Sequence, residues 1–447
     1  MTPTLFDTIV IGSGTSAYYC IDALNKAGQK VAVIDARPYG GTCALRGCQP
    51  KKYLVANAEA VSMARDLHSK GISEVPRTDW TALQALKNEF LDGKSEGEVK
   101  DYKEAGVATF FGTAKLIGPD EVQVGDERLK AKHIVLATGA TPRRSKFPGS
   151  EYTEDSEYFL NQPELAKRII FIGGGYISFE FAHVAAQAGS QVRILHRSAS
   201  PLKTFEPEMV DIVLESSEAM GIETELNDEP VKIEKNGSAF RLHTKQGKCF
   251  DADLIIEATG RTPNLSALEG NQGNVEHTSR GITVNAFLQS VSNPNVYAIG
   301  DCAASGTMLA TIADEEGKTA GCNILADTPQ PIDYSVVPSA AFTIPALASV
   351  GLSESQAQEQ GLDVRINSGT TTGWPSSKRI GEKHAGYKVI INNKDNTIVG
   401  AHLARHNAAE VINIFGLAIK FGIRANELAE FLWAYPTYTS DLKYMVK

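Results

Sequence analysis

Apolar positions over the first 36 residues form short β-branched runs separated by an amphipathic stretch. The segment FDTIVIGSGTSAYYCIDALNKAGQKVAVIDA (residues 6–36) passes from an apolar run through a glycine-rich turn into a helical pattern ending at Gly28, and then into a second apolar run. RIIFIGGGYISFEFAHVAAQAGSQVRILHR (residues 168–197) repeats this order, with its helical part ending at Gly189. The pattern therefore predicts two βαβ units in one α/β chain.

The segments outside these units follow other patterns. Residues 80–105 are polar with helical character, whereas residues 107–139 alternate apolar and polar positions between turn signals. That alternation predicts a small antiparallel sheet. From about Val336 onward, alternating strands precede an apolar helix at residues 408–421, which predicts a separate C-terminal α+β domain.

Composition narrows the functional classes. The 447 residues include 53 acidic and 44 basic side chains, a formal net charge of -9, and no Lys/Arg run that could follow a phosphate backbone, so nucleic-acid binding is disfavoured. The start of the chain lacks a targeting pattern, and no apolar run reaches the ~18–20 residues of a spanning helix, so we expect a cytoplasmic protein without membrane contact. Six scattered cysteines are too few for a secreted disulfide framework.

The first glycine-rich turn has the spacing of a dinucleotide site. Gly12, Gly14 and Ala17 follow an apolar run and open a helix, and Asp35 ends the next run. Glycines let the backbone approach a pyrophosphate at a helix N-terminus, and a carboxylate in that place can bind a ribose. The alternative is a purely structural turn.

The second turn carries Gly173, Gly175 and Ser178, and its second strand ends without an acid. Arg197 stands at that place, and Lys203 follows six positions later. Because a 2'-phosphate adds negative charge, two cations in place of the acid favour NADPH over NADH. The alternative is that both are solvated surface charges.

Two cysteines five positions apart, Cys43 and Cys48, lie in the string GGTCALRGCQPKK. A zinc site is disfavoured because a second pair is missing, and His402 and His406, although spaced i, i+4, follow a β-rich pattern. Inert core cysteines are another alternative. A redox-active pair is the better hypothesis, since the glycines around it predict a tight loop that delivers Cys48 to a helix start near Lys51, where a thiolate is stabilised. The isolated cysteines are Cys20, Cys249, Cys302 and Cys322.

The chain carries four strings in this order: GGTCALRGCQPKK, ATG, ATGRTPN and YAIGD. With them the chain resembles the class I pyridine nucleotide-disulfide oxidoreductases, which include glutathione reductase, dihydrolipoamide dehydrogenase and mercuric reductase. The resemblance covers nearly the whole chain. It implies the glutathione reductase fold, two Rossmann-like dinucleotide-binding domains and a C-terminal α+β dimerisation domain, in a homodimer. The implied domains are an FAD-binding domain in two parts, residues 1–146 and 265–335, an NAD(P)H-binding domain at residues 147–264, and an interface domain at residues 336–447.

The resemblance also implies residue roles. Cys43 would be the interchange thiol that meets the substrate, and Cys48 the charge-transfer thiol beside the flavin. Lys51 and Glu180 would form an ion pair near the flavin, and Tyr176 would cover the nicotinamide pocket. The residues implied for FAD are Gly12, Gly14, Ala17, Asp35, Thr42, Lys52, Ala114, Gly139 and Asp301, with Arg261 on the flavin side. Those implied for NADPH are Gly173, Gly175, Tyr176, Arg197, Lys203 and Gly260.

The chain departs from the family at its end. Most members carry HPTxSE, whose His protonates the leaving thiol across the dimer interface, but this chain has YPTYTSD. Tyr435 takes the place of the His and Ser440 that of the Glu, with Asp441 one residue later. A phenol with a pKa of ~10 shuttles protons at neutral pH less readily than an imidazole with a pKa of ~6.5.

The sequence therefore predicts an NADPH-dependent FAD disulfide oxidoreductase acting on a small disulfide through Cys43 and Cys48. Glutathione is disfavoured, because Asp22 and the acids at 314–316 are expected near the substrate funnel and would repel an anionic peptide. The alternative acceptor is a soft metal ion, Hg(II) or Cu(II), reduced at the same dithiol without a resident metal. A third hypothesis is a flavoprotein of low turnover that senses redox state or docks a partner.

Overall fold

The structure, a computed structural model, describes residues 3–447. Its strands, in chain order, are β1 (Thr4–Ile11), β2 (Val31–Asp35), β3 (Ala108–Phe111), β4 (Ala114–Leu116), β5 (Glu121–Val124), β6 (Glu127–Leu136), β7 (Ala140–Pro142), β8 (Arg168–Ile172), β9 (Gln191–Leu195), β10 (Glu223–Glu225), β11 (Pro230–Asn236), β12 (Ala239–Thr244), β13 (Cys249–Ala252), β14 (Leu254–Glu257), β15 (Arg261–Pro263), β16 (His277–Thr278), β17 (Gly281–Ile282), β18 (Val296–Ala298), β19 (Ser339–Ala341), β20 (Leu347–Gly351), β21 (Val364–Thr370), β22 (Gly386–Asn392) and β23 (Ile398–Ala404).

The helices, in chain order, are α1 (Thr15–Lys26), α2 (Gly41–Leu45), α3 (Cys48–Asp66), α4 (Trp80–Leu91), α5 (Lys94–Glu104), α6 (Ser156–Leu160), α7 (Tyr176–Gln187), α8 (Pro207–Ala219), α9 (Ala310–Leu325), α10 (Glu354–Glu359), α11 (Pro375–Lys378), α12 (Ala408–Phe421), α13 (Ala425–Glu430) and α14 (Leu442–Met445). Both predicted βαβ units are confirmed as β1-α1-β2 and β8-α7-β9, and α12 has the bounds expected from the sequence. None of the helices in residues 3–447 is both long and apolar enough to cross a bilayer.

One compact unit comprises residues 3–52, 87–143 and 261–334. Its sheet has the strand order β3-β2-β1-β6-β5-β4, with β18 also paired to β6. Strands β3, β2, β1, β6 and β18 run parallel, whereas β4 and β5 run antiparallel to their neighbours. The short pair β7 and β15 joins the chain segments that leave and re-enter this unit.

The prediction of a small antiparallel sheet over residues 107–139 is wrong in part. Strand β3 pairs parallel with β2, and the ten-residue β6 pairs with β1 along one edge. On its other edge, residues 127–130 of β6 pair with β5 and residues 134–136 pair with β18. Local alternation correctly indicated the β4-β5-β6 meander but carried no signal for these long-range parallel partners.

Helix α9 packs against α1 in this unit at a very short distance. A Cβ atom on Gly317 would lie 2.1 Å from the carbonyl oxygen of Ser16, and one on Gly321 would lie 2.9 Å from Cβ of Ala23. Only glycine at these places allows the two backbones to approach. The contact fixes the position of α9 relative to the turn that precedes α1.

A second compact unit comprises residues 53–86, 144–260 and 335–447. The parallel sheet β10-β9-β8-β14 and the antiparallel sheet β11-β12-β13 form one part of it. The antiparallel sheet β19-β20-β23-β22-β21 forms another, and α12 buries Val411, Ile412 and Phe415 with the apolar residues of that sheet. The C-terminal α+β pattern expected from the sequence is thus present.

A buried lysine links three carboxylates in the second unit. Lys388 Nζ, on β22, lies 3.0 Å from Glu206, 2.7 Å from Glu208 and 2.5 Å from Glu354. The side chains of Lys388 and Glu206 are each only 4% exposed. The same three glutamates form a cluster with the spacing of metal ligands, and the ammonium group of Lys388 contacts all three carboxylates. The cluster ties the start of α8 and α10 to β22.

We expect Lys388→Met to destabilise the protein strongly, because it leaves the buried Glu206 carboxylate without its counter-charge. Breaking a buried pair in this way costs about 3–5 kcal/mol. The exposed pair of Lys245 with Glu229, 2.7 Å apart, provides a matched control, since Lys245→Met should cost less than about 1 kcal/mol. Apparent melting temperatures of the holoprotein measure both. Equal shifts in the two variants would contradict a structural role for the cluster.

Candidate active site

The first glycine-rich turn has the geometry of a dinucleotide cradle. Gly12 has φ +111°, and a Cβ atom there would lie 2.1 Å from the carbonyl oxygen of Ala137. Gly14 is the extended N-cap of α1, and Asp35 accepts hydrogen bonds from the backbone N–H of Ser13 (2.9 Å) and its hydroxyl (2.6 Å). The glycine turn, the helix N-terminus and the carboxylate together fit a pyrophosphate and a ribose.

The cysteine turn packs directly on this cradle. Gly41 has φ +68°, and a Cβ atom there would lie 2.4 Å from Cα of Gly14. Cys43 lies in the short helix α2, and Cys48 is the first residue of α3, as the sequence predicts. Cys43 is half-buried and Cys48 is exposed. The structure therefore brings the cysteine pair to the first nucleotide motif inside one unit.

The two thiols have unequal electrostatic environments. A hydrogen bond with Cys48 raises the pKa of the Cys43 thiol well above its usual range, and burial and the negative charge of Cys48 raise it further. Lys51, one turn into α3, acts in the opposite direction on that pKa. The two thiols interact directly, so their ionisation is linked. The roles implied for a charge-transfer thiolate and an interchange thiol stay predictions.

Two of the acids expected near the funnel, Asp314 and Asp22, occupy different environments. Thr15 Oγ1 donates a hydrogen bond to Asp314, and the carboxylate of Asp314 is close enough to raise the pKa of Cys43. Asp22 forms an exposed ion pair with Lys26 at 2.8 Å. Asp314 is thus brought to the reactive cysteine, whereas Asp22 is paired with Lys26.

Glu316 is buried and positions the loop that carries Asp301. It accepts hydrogen bonds from Gly300 N–H (2.6 Å), Ser305 Oγ (2.5 Å) and Tyr334 OH (2.7 Å). Burial raises the pKa of Glu316, and the three donors partly offset that effect. Sequence reasoning did not identify this positioning role, because the acid in the helical pattern resembles a solvated one.

Other residues implied for FAD lie in the same unit. Asp301 is mostly buried, which raises its pKa, while the charge of Arg261 lowers it. Arg261 also donates a hydrogen bond to the carbonyl of Ala140. Gly139 has φ +66°, and Ala114 is buried at the start of β4. Thr42 lies in α2, Ala17 is buried in α1, and Lys52 lies in α3.

The second glycine-rich turn repeats the first. Gly173 has φ +124°, and a Cβ atom there would lie 2.2 Å from the carbonyl oxygen of Ala258, while Gly175 is the N-cap of α7. Tyr176 is the first residue of α7 and is 43% exposed, and Gly260 has φ +120°. The turn leaves room for a second dinucleotide at a helix N-terminus.

The residues after β9 form a cationic loop beside this turn. Burial lowers the pKa of His196, and the charges of Lys203 and Arg197 lower it further, so both cations lie close to the imidazole. His196 also packs on Gly174, where a Cβ atom would lie 2.5 Å from the ring. Neither Arg197 nor Lys203 forms an ion pair with another residue in the part of the chain that the structure describes. His196 was not singled out in the sequence, although it stands directly before Arg197.

Glu180 and the C-terminal tail lie in the second unit. Glu180 is buried in α7 and accepts a hydrogen bond from Phe342 N–H at 2.8 Å. Its ion pair with Lys51 stays a prediction. Tyr435 is 70% exposed, with Lys443 Nζ 5.7 Å from its ring centroid.

Asp441 stands one residue beyond the position of the Glu in the family motif. Its carboxylate binds residues other than Tyr435. Its Oδ2 atom accepts hydrogen bonds from Ser376 Oγ (2.6 Å) and from the fully buried Arg405 (2.7 Å). Ser440 Oγ donates to the carbonyl oxygen of Thr437 at 2.6 Å. These contacts anchor the tail that carries Tyr435 instead of orienting its side chain.

The two histidines considered for a metal site do not share a helical face. His402 lies in β23, with Nε2 3.0 Å from the carbonyl oxygen of Leu352, and His406 lies beyond the strand with its ring against Tyr438. Burial lowers the pKa of both imidazoles. Their contacts are those of packed side chains.

Comparisons with known proteins agree with this geometry. Residues 6–317 match the family model for pyridine nucleotide-disulphide oxidoreductases, and residues 337–446 match the model for their dimerisation domain. The chain is 30% identical to a mercuric reductase of Staphylococcus aureus over 98% of this chain and 81% of that protein. It is 31% identical to a dihydrolipoyl dehydrogenase of Chlamydia muridarum over 97% and 94% of the two chains.

A solved structure is also similar over the full length. The Cu(II) complex of the HOCl-induced flavoprotein disulfide reductase RclA from Escherichia coli superposes with a TM-score of 0.90 at 25% identity, covering 100% of this chain and 99% of that one. Fold, cysteine turn and sequence similarity thus agree. The chain belongs to the pyridine nucleotide-disulphide oxidoreductase family and is an FAD-dependent NAD(P)H disulfide oxidoreductase with the glutathione reductase-like fold and a C-terminal dimerisation domain.

Proposed function

We propose that this enzyme is a homodimeric NADPH-dependent reductase that uses Cys43 and Cys48 to reduce a small disulfide substrate. The observation that carries the proposal is the interacting cysteine pair on the first glycine motif, in which Cys48 raises the pKa of the Cys43 thiol. The dimerisation domain supports the homodimer. The domain bounds expected from the sequence remain part of the proposal.

The cysteines carry the exchange chemistry. Bound FAD would supply the two-electron link between NADPH and the cysteine pair. In the dithiol form, Cys43 Sγ loses its proton and attacks the substrate disulfide, forming a mixed disulfide and releasing one thiolate that takes up the proton. Cys48 then attacks Cys43 Sγ, releasing the second thiolate and restoring the Cys43–Cys48 disulfide.

NADPH preference is proposed from Arg197 and Lys203. Both are exposed cations on one loop next to the N-terminus of α7, and both act on His196. A 2'-phosphate placed there would accept charge-assisted hydrogen bonds from them. A ribose 2'-hydroxyl offers no comparable charge, so NADH would gain less.

Reduction of a soft metal ion, Hg(II) or Cu(II), is a second candidate function. Asp314 supports it, because a carboxylate beside Cys43 attracts cations and repels anionic peptides. Metal reduction also needs no protonation of a leaving thiol, so the replacement of the His by Tyr435 would carry no penalty. Similar proteins include a mercuric reductase and a reductase solved with Cu(II).

NADPH consumption by the purified holoenzyme should distinguish these functions. The acceptors to compare are oxidised glutathione, lipoamide, other small disulfides, Hg(II) and Cu(II). We expect a disulfide to support many turnovers. Cys43→Ser should lower the rate of this NADPH consumption at least about 100-fold. Tyr435→His should raise the disulfide rate, by up to about 100-fold, because an imidazole relays protons at neutral pH, whereas Tyr435→Phe should not.

Turnover with the metal ions alone, unaffected by Tyr435→His, would replace the disulfide proposal by metal reduction. Reduction of the flavin by NADPH without repeated turnover on any acceptor would instead support the redox-sensing or docking hypothesis.

The double variant Arg197→Ala/Lys203→Ala should weaken NADPH selectively. A hydrogen bond to a charged group contributes about 1.5–3 kcal/mol, so KM for NADPH should rise at least about tenfold while KM for NADH changes little. Lys248→Ala removes an exposed cation of the same domain, which is paired with Glu225 at 2.5 Å, and serves as the control. Equal changes for both nucleotides would rule out a 2'-phosphate site.

Asp314→Asn should lower the pKa of Cys43, because it removes a negative charge that disfavours the thiolate. In the NADPH-reduced enzyme, the pH profile for alkylation of Cys43 by iodoacetamide should therefore shift to lower pH, and KM for metal cations should rise. Asp22→Asn, which removes an acid already paired with Lys26, is the control. An unchanged alkylation profile in Asp314→Asn would show that Asp314 does not act on the thiol.

A further inference from the structure

The outer face of the sheet β11-β12-β13 carries reactive groups that the reductase chemistry does not use. Along these strands, buried residues such as Ile233, Leu242 and Ala252 alternate with more exposed ones. The alternation places six polar side chains on one face, namely Lys232, Glu234, Arg241, His243, Cys249 and Asp251.

Strand register groups these side chains into two rows. Lys232 lies opposite His243, which lies opposite Cys249. Glu234, Arg241 and Asp251 form the neighbouring row in the same way. Cross-strand neighbours on one face are close enough to interact directly.

Cys249, His243 and Glu234 form a continuous relay on this face. Cys249 Sγ lies 3.2 Å from His243 Nδ1, and His243 Nε2 lies 3.1 Å from Glu234 Oε2. A carboxylate only accepts, so Nε2 carries the imidazole proton and Nδ1 is the acceptor that faces the thiol. An activated nucleophile has a base within hydrogen-bond reach and a third group that orients the base. The thiol, the imidazole and the carboxylate have this arrangement.

The geometry favours a relay over a metal site. The thiol and the carboxylate bind opposite nitrogens of one imidazole ring, so they cannot share a single ion with it. The hydrogen bonds from Lys232 and His243 lower the pKa of Glu234, which keeps it ionised and able to orient the ring. Lys232 Nζ lies 2.5 Å from Glu234 Oε1, and Arg241 binds Asp251 through two hydrogen bonds of 2.8 and 3.1 Å.

A cleft next to the relay offers room for a ligand. It has a volume of about 560 Å³, and its lining includes Lys232, Glu234, Arg241, Gly149 and Tyr152. The cleft therefore borders the Glu234 end of the relay, whereas Cys249 lies two strands away at the other edge of the sheet.

We propose that Cys249 is a second reactive thiol, activated by His243 and Glu234, which forms mixed disulfides with small disulfides. Cys249 Sγ passes its proton to His243 Nδ1 and attacks one sulfur of the disulfide. The S–S bond of the ligand breaks as the new bond to Cys249 forms, and the leaving thiolate takes the proton from His243. The product is an S-thiolated domain, a covalent modification separate from turnover at Cys43 and Cys48.

The test uses the holoenzyme and the neutral disulfide 4,4'-dithiodipyridine at pH 7. Peptide mass spectrometry follows the mixed disulfide at each cysteine, so the reaction at Cys249 is resolved from that at Cys43 and Cys48. Cys322, an exposed thiol on α9, is the internal reference. We expect Cys249 to react at least about tenfold faster than Cys322, as base-activated thiols do.

Variants of the relay separate activation from simple exposure. His243→Phe and His243→Gln should both reduce the rate at Cys249 to that of Cys322, and Glu234→Gln should reduce it in part. Lys245→Ala, which removes a neighbouring cation outside the relay, should leave it unchanged. Equal rates at Cys249 and Cys322 in the unmodified enzyme, or a rate at Cys249 that both His243 variants leave unchanged, would overturn the proposal.

Discussion

Gly14 and Gly41 meet backbone to backbone, and the candidate active site depends on that contact. A Cβ atom on Gly41 would lie 2.4 Å from Cα of Gly14, so any side chain there would push the cysteine turn away from the nucleotide cradle. Gly317 makes a similar contact between α9 and α1. These approaches bring the turn before α1, the cysteine helix α2 and the start of α9 to one place. They place Asp314, in α9, in the same unit beside Cys43.

The charges around Cys43 then set the pKa of its thiol. Cys48 and Asp314 both raise the pKa of Cys43, whereas Lys51 lowers it. The net effect holds the pKa of the Cys43 thiol above its usual range. Asp314 places a negative charge beside this thiol. Its hydrogen bond from Thr15, in the first turn of α1, links that charge to the nucleotide cradle.

The C-terminal tail lacks the His and Glu of the family motif, and other contacts hold its conformation. Arg405 is fully buried and binds Asp441, which also accepts a hydrogen bond from Ser376. A buried charge of this kind needs its partner, so the carboxylate at position 441 serves to anchor the chain. Tyr435 remains exposed above this anchor. The fold of the tail is therefore maintained without the pair of residues that relays protons in most of the family.

The sequence by itself determined both βαβ units, the glycine turns, the redox cysteine string and the helix at residues 408–421. These features depend on periodicity and on φ angles that only glycine tolerates, so they are local properties that a single chain segment displays. Tertiary structure decided the rest. Strand β3 pairs with the parallel sheet, Glu316 points inward and binds Gly300, and His196 lies near Lys203 as well as Arg197. Each of these placements depends on a partner distant in sequence or on a loop conformation. Cys249 and His243 are the clearest case, since only strand register brings an isolated cysteine opposite a histidine.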